Sequence, residues 1–201
     1  MEKCDMHIAR IYMKILAISD THKKTDKAVR ICRALHDIDL VVHLGDHERD
    51  AAEIAKAVGT DVISVKGNCD GSCSYDDCKI IESPYGKLLL THGHMQNVKQ
   101  SLQNLIYLAQ ENDCKAALFG HTHRPCIEEV NGLYLINPGS LTLPADGGNG
   151  SYAVVYADKD EFSASIVYYD VIEELISGEE PKKPKVTSGF LRNILNYSDR
   201  L

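Results

Sequence analysis

Five short apolar runs in this chain each break off into Asp, Asn or His beside Gly or a hydroxyl residue, and that recurrence constrains the fold more than any other feature. Residues 14–19 (KILAIS) run into Asp20-Thr21-His22, residues 40–44 (LVVHL) into Gly45-Asp46-His47, and residues 61–66 (DVISVK) into Gly67-Asn68-Cys69-Asp70. Residues 87–90 (KLLL) lead to His92-Gly93-His94, and residues 116–119 (AALF) to Gly120-His121-Thr122-His123. Apolar runs of this length, bounded by polar clusters, read as buried strands. Ligands of open α/β sheets gather at the carboxyl ends of strands. Five ends loaded in this way therefore predict one converging site.

The segments between them fit that plan. Ala28, Ile31, Cys32 and Leu35 recur at helical spacing, and a second helical stretch spans residues 48–58. Strand, helix, strand, helix, strand predicts an α/β architecture with parallel pairing. Residues 79–81 and 87–90 flank a turn at 84–86, and residues 127–130 and 133–136 meet at Asn131-Gly132, a strong hairpin signal. Val98, Leu102, Leu105, Ile106 and Ala109 mark one helix face, and residues 151–157 and 162–169 form a last strand pair. The 201 residues suffice for one domain, expected over 13–176, followed by a tail over 177–201. Phe190, Leu191, Ile194 and Leu195 in that tail suit a short amphipathic helix that packs on the domain or on a second copy.

Charge and cysteine usage narrow the partners. A net charge of −7 argues against nucleic acid or an anionic membrane as the main partner, since both call for clustered Lys and Arg. It leaves room for a small phosphorylated substrate, because bound cations reverse the local field. No apolar run approaches the ~18 residues that span a bilayer. The N-terminus lacks the apolar core of a secretory signal, and seven cysteines at irregular spacing read as reduced thiols. The expected location is the cytoplasm.

Carboxylate, imidazole and amide oxygen together suit borderline divalent ions, manganese foremost, with Ni, Fe, Co, Zn or Mg as alternatives. One cation does not need so many ligands, whereas two ions sharing a bridging carboxylate do. Such a pair polarises a phosphoryl oxygen and generates a nucleophile near neutral pH, which is the chemistry of phosphoester hydrolysis.

The ordered set D-x-H, G-D, G-N-x-D, H-G-H and G-H-T-H, at Asp20, Asp46, Asn68, His92 and His121, resembles the calcineurin-like metallophosphoesterases. The resemblance spans residues 13–169 and is nearest to the small single-domain bacterial and archaeal phosphodiesterases, which share the I-N-P-G-S stretch at Ile136 to Ser140. It implies a four-layer α/β/β/α sandwich of two mixed sheets flanked by helices. By the same resemblance Asp20, His22 and His123 would hold one metal, and Asn68, His92 and His121 the other. Asp46 would bridge them, and a hydroxide between the ions would attack phosphorus. Where many members carry a His after the Asn, this chain has Cys69. A thiol is a weak donor, so Cys69, Asp70 and His94 are the candidates to act on the leaving group, and leaving groups that need little protonation are favoured.

Other residues have plainer readings. His43 lies within an apolar run and suits a core histidine; His47 reads as a loop residue, and His7 and His36 match no part of the pattern. Cys69, Cys73 and Cys78 fit no common zinc spacing. Arg124 suits either a phosphate contact or a surface salt bridge, and Tyr168 and Tyr169 suit sheet packing. Two other functions remain compatible with the motifs: a protein-binding scaffold on the same fold, as in a retromer subunit with an imperfect metal site, and a phosphomonoesterase or nucleotidase.

Overall fold

The computed structural model describes residues 12–35, 37–71 and 75–177. The expectations for His7, His36, Cys73 and the tail helix at 189–201 lie outside the described residues.

Strand β1 (Tyr12–Ile18) shows why the apolar runs are continuous. Ile15 and Ala17 enter one core cluster while Leu16 and Ile18 enter another, and none of the four is exposed. A strand buried on both faces has no polar face to alternate with. Helix α1 (Asp26–Ala34) leads to β2 (Leu40–His43), and helix α2 (Glu48–Val58) to β3 (Val62–Ser64). β1, β2 and β3 pair in parallel, with Ile15 opposite Leu40 and Val41 opposite Val62. The antiparallel pair β9 (Ser151–Asp158) and β10 (Phe162–Tyr168) completes the first sheet, in the order β10-β9-β1-β2-β3.

The second sheet runs β4-β5-β6-β8-β7. It comprises β4 (Cys78–Ser83), β5 (Gly86–Thr91), β6 (Ala116–Phe119), β7 (Cys126–Val130) and β8 (Leu133–Asn137). β5, β6 and β8 are parallel, and β4 and β7 are antiparallel edges. Between the sheets, Ile15, Val42 and Leu44 share a core with Leu88, Leu90, Leu118 and Ile136. Ile31 of α1 and Ile54 of α2 cover the outer face of the first sheet, while Leu105 and Ala109 of helix α3 (Gln103–Glu111) cover that of the second. The four layers expected from the resemblance are present.

Two local expectations change. α3 begins at Gln103, so Val98 and Leu102 reach its core cluster from the preceding turns rather than from the helix. The last strand ends at Tyr168, and Tyr169 opens helix α4 (Tyr169–Ser177). Val167, Tyr169 and Ile172 share one core cluster, a spacing that fits a strand up to 169 and a helix beyond it. Tyr169 thus packs from a helix, with the Lys27 ammonium 4.5 Å from its ring centroid.

Candidate metal centre

Six strand ends meet at one place: β1, β2 and β3 from the first sheet and β5, β6 and β8 from the second. The turns that follow them are sharply bent. Asp20, His22, Asp46, His121 and His123 all have positive φ, between 46° and 67°. Non-Gly residues in that region cost on the order of 1–3 kcal/mol each and persist where surrounding contacts over-determine them. Those contacts are present. Ser140 Oγ donates to the Asp20 carbonyl at 2.8 Å, and Thr142 Oγ1 donates to the Thr21 carbonyl at 3.0 Å. Asn137 Nδ2 donates to the Gly120 carbonyl at 2.8 Å. The Asn-Pro-Gly-Ser segment after β8 is therefore a clamp on the two turns that carry Asp20 and His121.

Asp20, His22, Asp46 and His123 bring one ligand atom each to within 4.8 Å of one another. Asp20 Oδ1 is buried and has no hydrogen bond, although His123 Nε2 approaches to the ion-pair distance of 3.1 Å. His123 Nδ1 lies 2.7 Å from the Leu143 carbonyl. That acceptor takes the Nδ1 proton, so Nε2 turns a lone pair towards the carboxylate. His22 Nε2 faces His123 Nε2 at 3.5 Å.

The other half repeats the arrangement. His92 Nδ1 lies 2.7 Å from the Leu44 carbonyl, which again leaves Nε2 bare. That Nε2 sits 3.1 Å from Asn68 Oδ1 and 3.5 Å from Asp46 Oδ1. The His121 ring packs 4.9 Å from His92. Two oxygens facing a bare His92 Nε2 at 3.1 and 3.5 Å are unfavourable unless a metal ion or a proton lies between them. The donor set and the orphaned Asp20 oxygen both fit metal ions.

The lowered groups agree with a ligand role, and His123 departs from it. Burial would raise the Asp20 carboxyl, but His123, His92 and Ser19 hold it below its ordinary value. Burial lowers His22 and His94, and it takes His121, with help from His92, down to about 4. His123 is raised, first by its contact with Asp20.

All seven expected ligands are thus brought to one place. Asp46 stands between the halves, and the Cys69 amide donates to its Oδ1 at 2.9 Å. The Cys69 side chain is exposed and accepts from Asn68 Nδ2 at 3.4 Å. Desolvation of its sulfur, and then Asp46, push the thiol up to about 11. Asp70 Oδ2 accepts the Gly67 amide at 2.7 Å and so pins the turn that carries Asn68. The His94 ring lies 5.4 Å from His92 and 6.1 Å from His121. Arg124 is exposed and has no ion pair among the described residues. Cys69 and Cys78 are free thiols.

Several residues around the site have contacts that the sequence did not indicate. His47 packs its ring 5.3 Å from His22. Thr21, His43 and Asp50 form a buried chain beneath the first turn, with Thr21 Oγ1 2.9 Å from His43 Nε2 and 2.6 Å from Asp50 Oδ2. Asn137 and Ser140 were marked by the I-N-P-G-S stretch, but their task as clamps was not. No helix among the described residues is long and apolar enough to cross a membrane.

Comparison with known proteins places these observations in a family context. Residues 13–160 match the model of the calcineurin-like phosphoesterase superfamily domain. The chain is 34% identical over 159 residues to the probable metallophosphoesterase YsnB of Bacillus subtilis, covering 79% of this chain and 91% of that protein. It is 30% identical over 173 residues to the phosphodiesterase YfcE of Escherichia coli, covering 73% and 89%. Among solved structures, a predicted phosphoesterase from Streptococcus pneumoniae aligns with a TM-score of 0.69 at 28% identity, covering 79% of this chain and 91% of that one.

Proposed function

The chain belongs to the calcineurin-like phosphoesterase superfamily, and from that premise we propose that this metal-dependent phosphoesterase acts on a small phosphodiester. The observation that carries the reading is the convergence of Asp20, His22, Asp46 and His123 within 4.8 Å, beside Asn68 Oδ1 and Asp46 Oδ1 facing His92 Nε2. Asp20, His22 and His123 would hold one ion and Asn68, His92 and His121 the other. Asp46 is the shared ligand, since it belongs to the first cluster and lies 3.5 Å from His92 of the second. A divalent pair supplies Lewis-acid polarisation of phosphoryl oxygens and a water of lowered pKa.

The protein's own part is to hold and orient. The Cys69 amide fixes Asp46, the Leu44 and Leu143 carbonyls fix the tautomers of His92 and His123, and the clamps from Asn137 and Ser140 fix the two turns. Cys69, Asp70 and His94 are the groups proposed to serve the leaving oxygen. A thiol donates weakly. This favours esters whose leaving group needs little protonation, and the name of the relative YfcE, a phosphodiesterase, supports a diester. Manganese is the proposed metal and the cytoplasm the proposed location.

The test is to strip metals with a chelator, reload single ions, and assay a panel of diesters and monoesters. Activity should return only on reloading, be highest with manganese, and favour diesters. Equal or faster monoester cleavage would overturn the diester preference, and full activity in the stripped protein would overturn the reading as a whole.

A further inference from the structure

We infer that His47 is a substrate-contacting residue, whose ring N–H binds a phosphate oxygen beside the Asp20, His22 and His123 cluster; the inference rests on the phosphoesterase reading of that cluster. Three rings stand in a row. His123 and His22 lie 5.3 Å apart, and His47 meets the far ring, His22, edge-on at 5.3 Å. Only His47 of the three contributes no atom to the four-donor group. It stands beside the ligands, on the His22 side of the group.

Local structure does not account for a histidine there. Gly45, Asp46 and His47 run through consecutive left-handed conformations, with φ of 95°, 61° and 70°. His47 is also the N-cap of α2, and its side chain makes no capping hydrogen bond. Asn would tolerate the backbone better and cap the helix as well. A residue that suits neither demand stands at a strained position, and such positions concentrate at functional sites. Among the described residues the His47 ring has a ring contact but no hydrogen-bond partner. Neutral or charged, an imidazole offers at least one N–H. The anion needs donors in a chain of net charge −7 whose site already holds Asp20 and Asp46. His94 stands at the opposite end against His92 and His121, so the two rings would bracket a phosphate that spans both halves.

The test measures inorganic phosphate binding by calorimetry to the metal-loaded full chain, for wild type and for His47→Asn and His47→Gln, with metal content and Tm recorded in parallel. His47→Asn should keep two ions per chain and a Tm no lower than wild type, yet bind phosphate about tenfold more weakly, the scale of one hydrogen bond to a charged group. His47→Gln, which can still extend a donor, should recover part of that loss. Phosphate affinity within twofold of wild type in His47→Asn would overturn the inference. A fall to one ion per chain would also overturn it, by making His47 a metal ligand. Wild-type protein that binds phosphate but cleaves no ester would sink the hydrolase reading and leave the His47 contact standing.

Discussion

His43 closes β2 in complete burial, and its hydrogen bonds fix its charge. The Thr21 hydroxyl has a single proton, which the 2.6 Å contact to Asp50 Oδ2 takes. His43 must therefore donate from Nε2 to Thr21, which leaves Nδ1 bare and without a partner. The same Asp50 oxygen accepts the Lys23 amide at 2.7 Å, so the chain braces the turn that carries Asp20 and His22. Burial first of all lowers the ring from 6.5 to about 4. Between those values the unfolded chain binds the extra proton and the folded one does not, so stability falls as pH drops from about 6.5 towards 4. At pH 4.5 this one ring should cost on the order of 2–3 kcal/mol relative to pH 7.5. His121 acts in the same direction, so the comparison has to be made within one position. His43→Gln keeps a donor for Thr21 and removes the titration. Urea unfolding of metal-free protein at the two pH values should show an acid loss smaller by roughly 2–3 kcal/mol in the variant. Equal losses in both proteins would contradict the account.

At the scale of elements, the site depends on neighbouring turns touching. Gly67, just past β3, illustrates it: a Cβ there would overlap the Asp46 amide nitrogen and carboxylate. Backbone cannot step aside as a flexible side chain can. Gly67→Ala should cost about 1–3 kcal/mol of stability and weaken metal binding by displacing Asp46 from the Cys69 amide. Urea denaturation and metal titration of the variant would check this, and wild-type metal affinity would refute it. The strands themselves were legible because β1, β5 and β6 are covered on both faces and so read as unbroken apolar runs. Helix α2 was legible over its whole length, and all seven expected ligands could be named from motif order and resemblance. The bent turns were not legible. The conformations of Asp20 and His22 are enforced by Ser140 and Thr142, about 120 residues away along the chain, and no local pattern carries that information. His47 is the loop residue expected, but its contact with His22 was not legible for the same reason, since it arises from three left-handed residues in succession. α4 was hidden because Val167, Tyr169 and Ile172 satisfy the strand period and the helix period in turn.

For the whole molecule, the donors divide between the sheets. Asp20, His22, Asp46 and Asn68 follow strands of the first sheet, and His92, His121 and His123 follow strands of the second. The apolar layer between the sheets is non-directional, so on its own it holds their relative position loosely. Polar ties add direction at the site: His92 Nδ1 to the Leu44 carbonyl at 2.7 Å, and the His121 amide to Asp20 Oδ2 at 3.2 Å. Metal binding would add a further tie, which is absent from the unfolded chain. A ligand at a hundred times its dissociation constant stabilises the folded state by about 2.7 kcal/mol. For a chain of this size that raises Tm by roughly 5–11 °C. Each half of the site contributes, so the increment should grow as the second ion binds. Asp46 is the proposed shared ligand of both halves, and Asp46→Asn should bind neither ion, gain no thermal increment from metal and lose nearly all hydrolysis. Asn68→Ala touches one half only and should keep a single ion with a smaller increment. Thermal melts with and without metal, read beside ion content by mass spectrometry, separate the two variants. If Asp46→Asn retained both ions and the full rise in Tm, the shared carboxylate would be ruled out, and the sheets would be cross-linked by two independent sites.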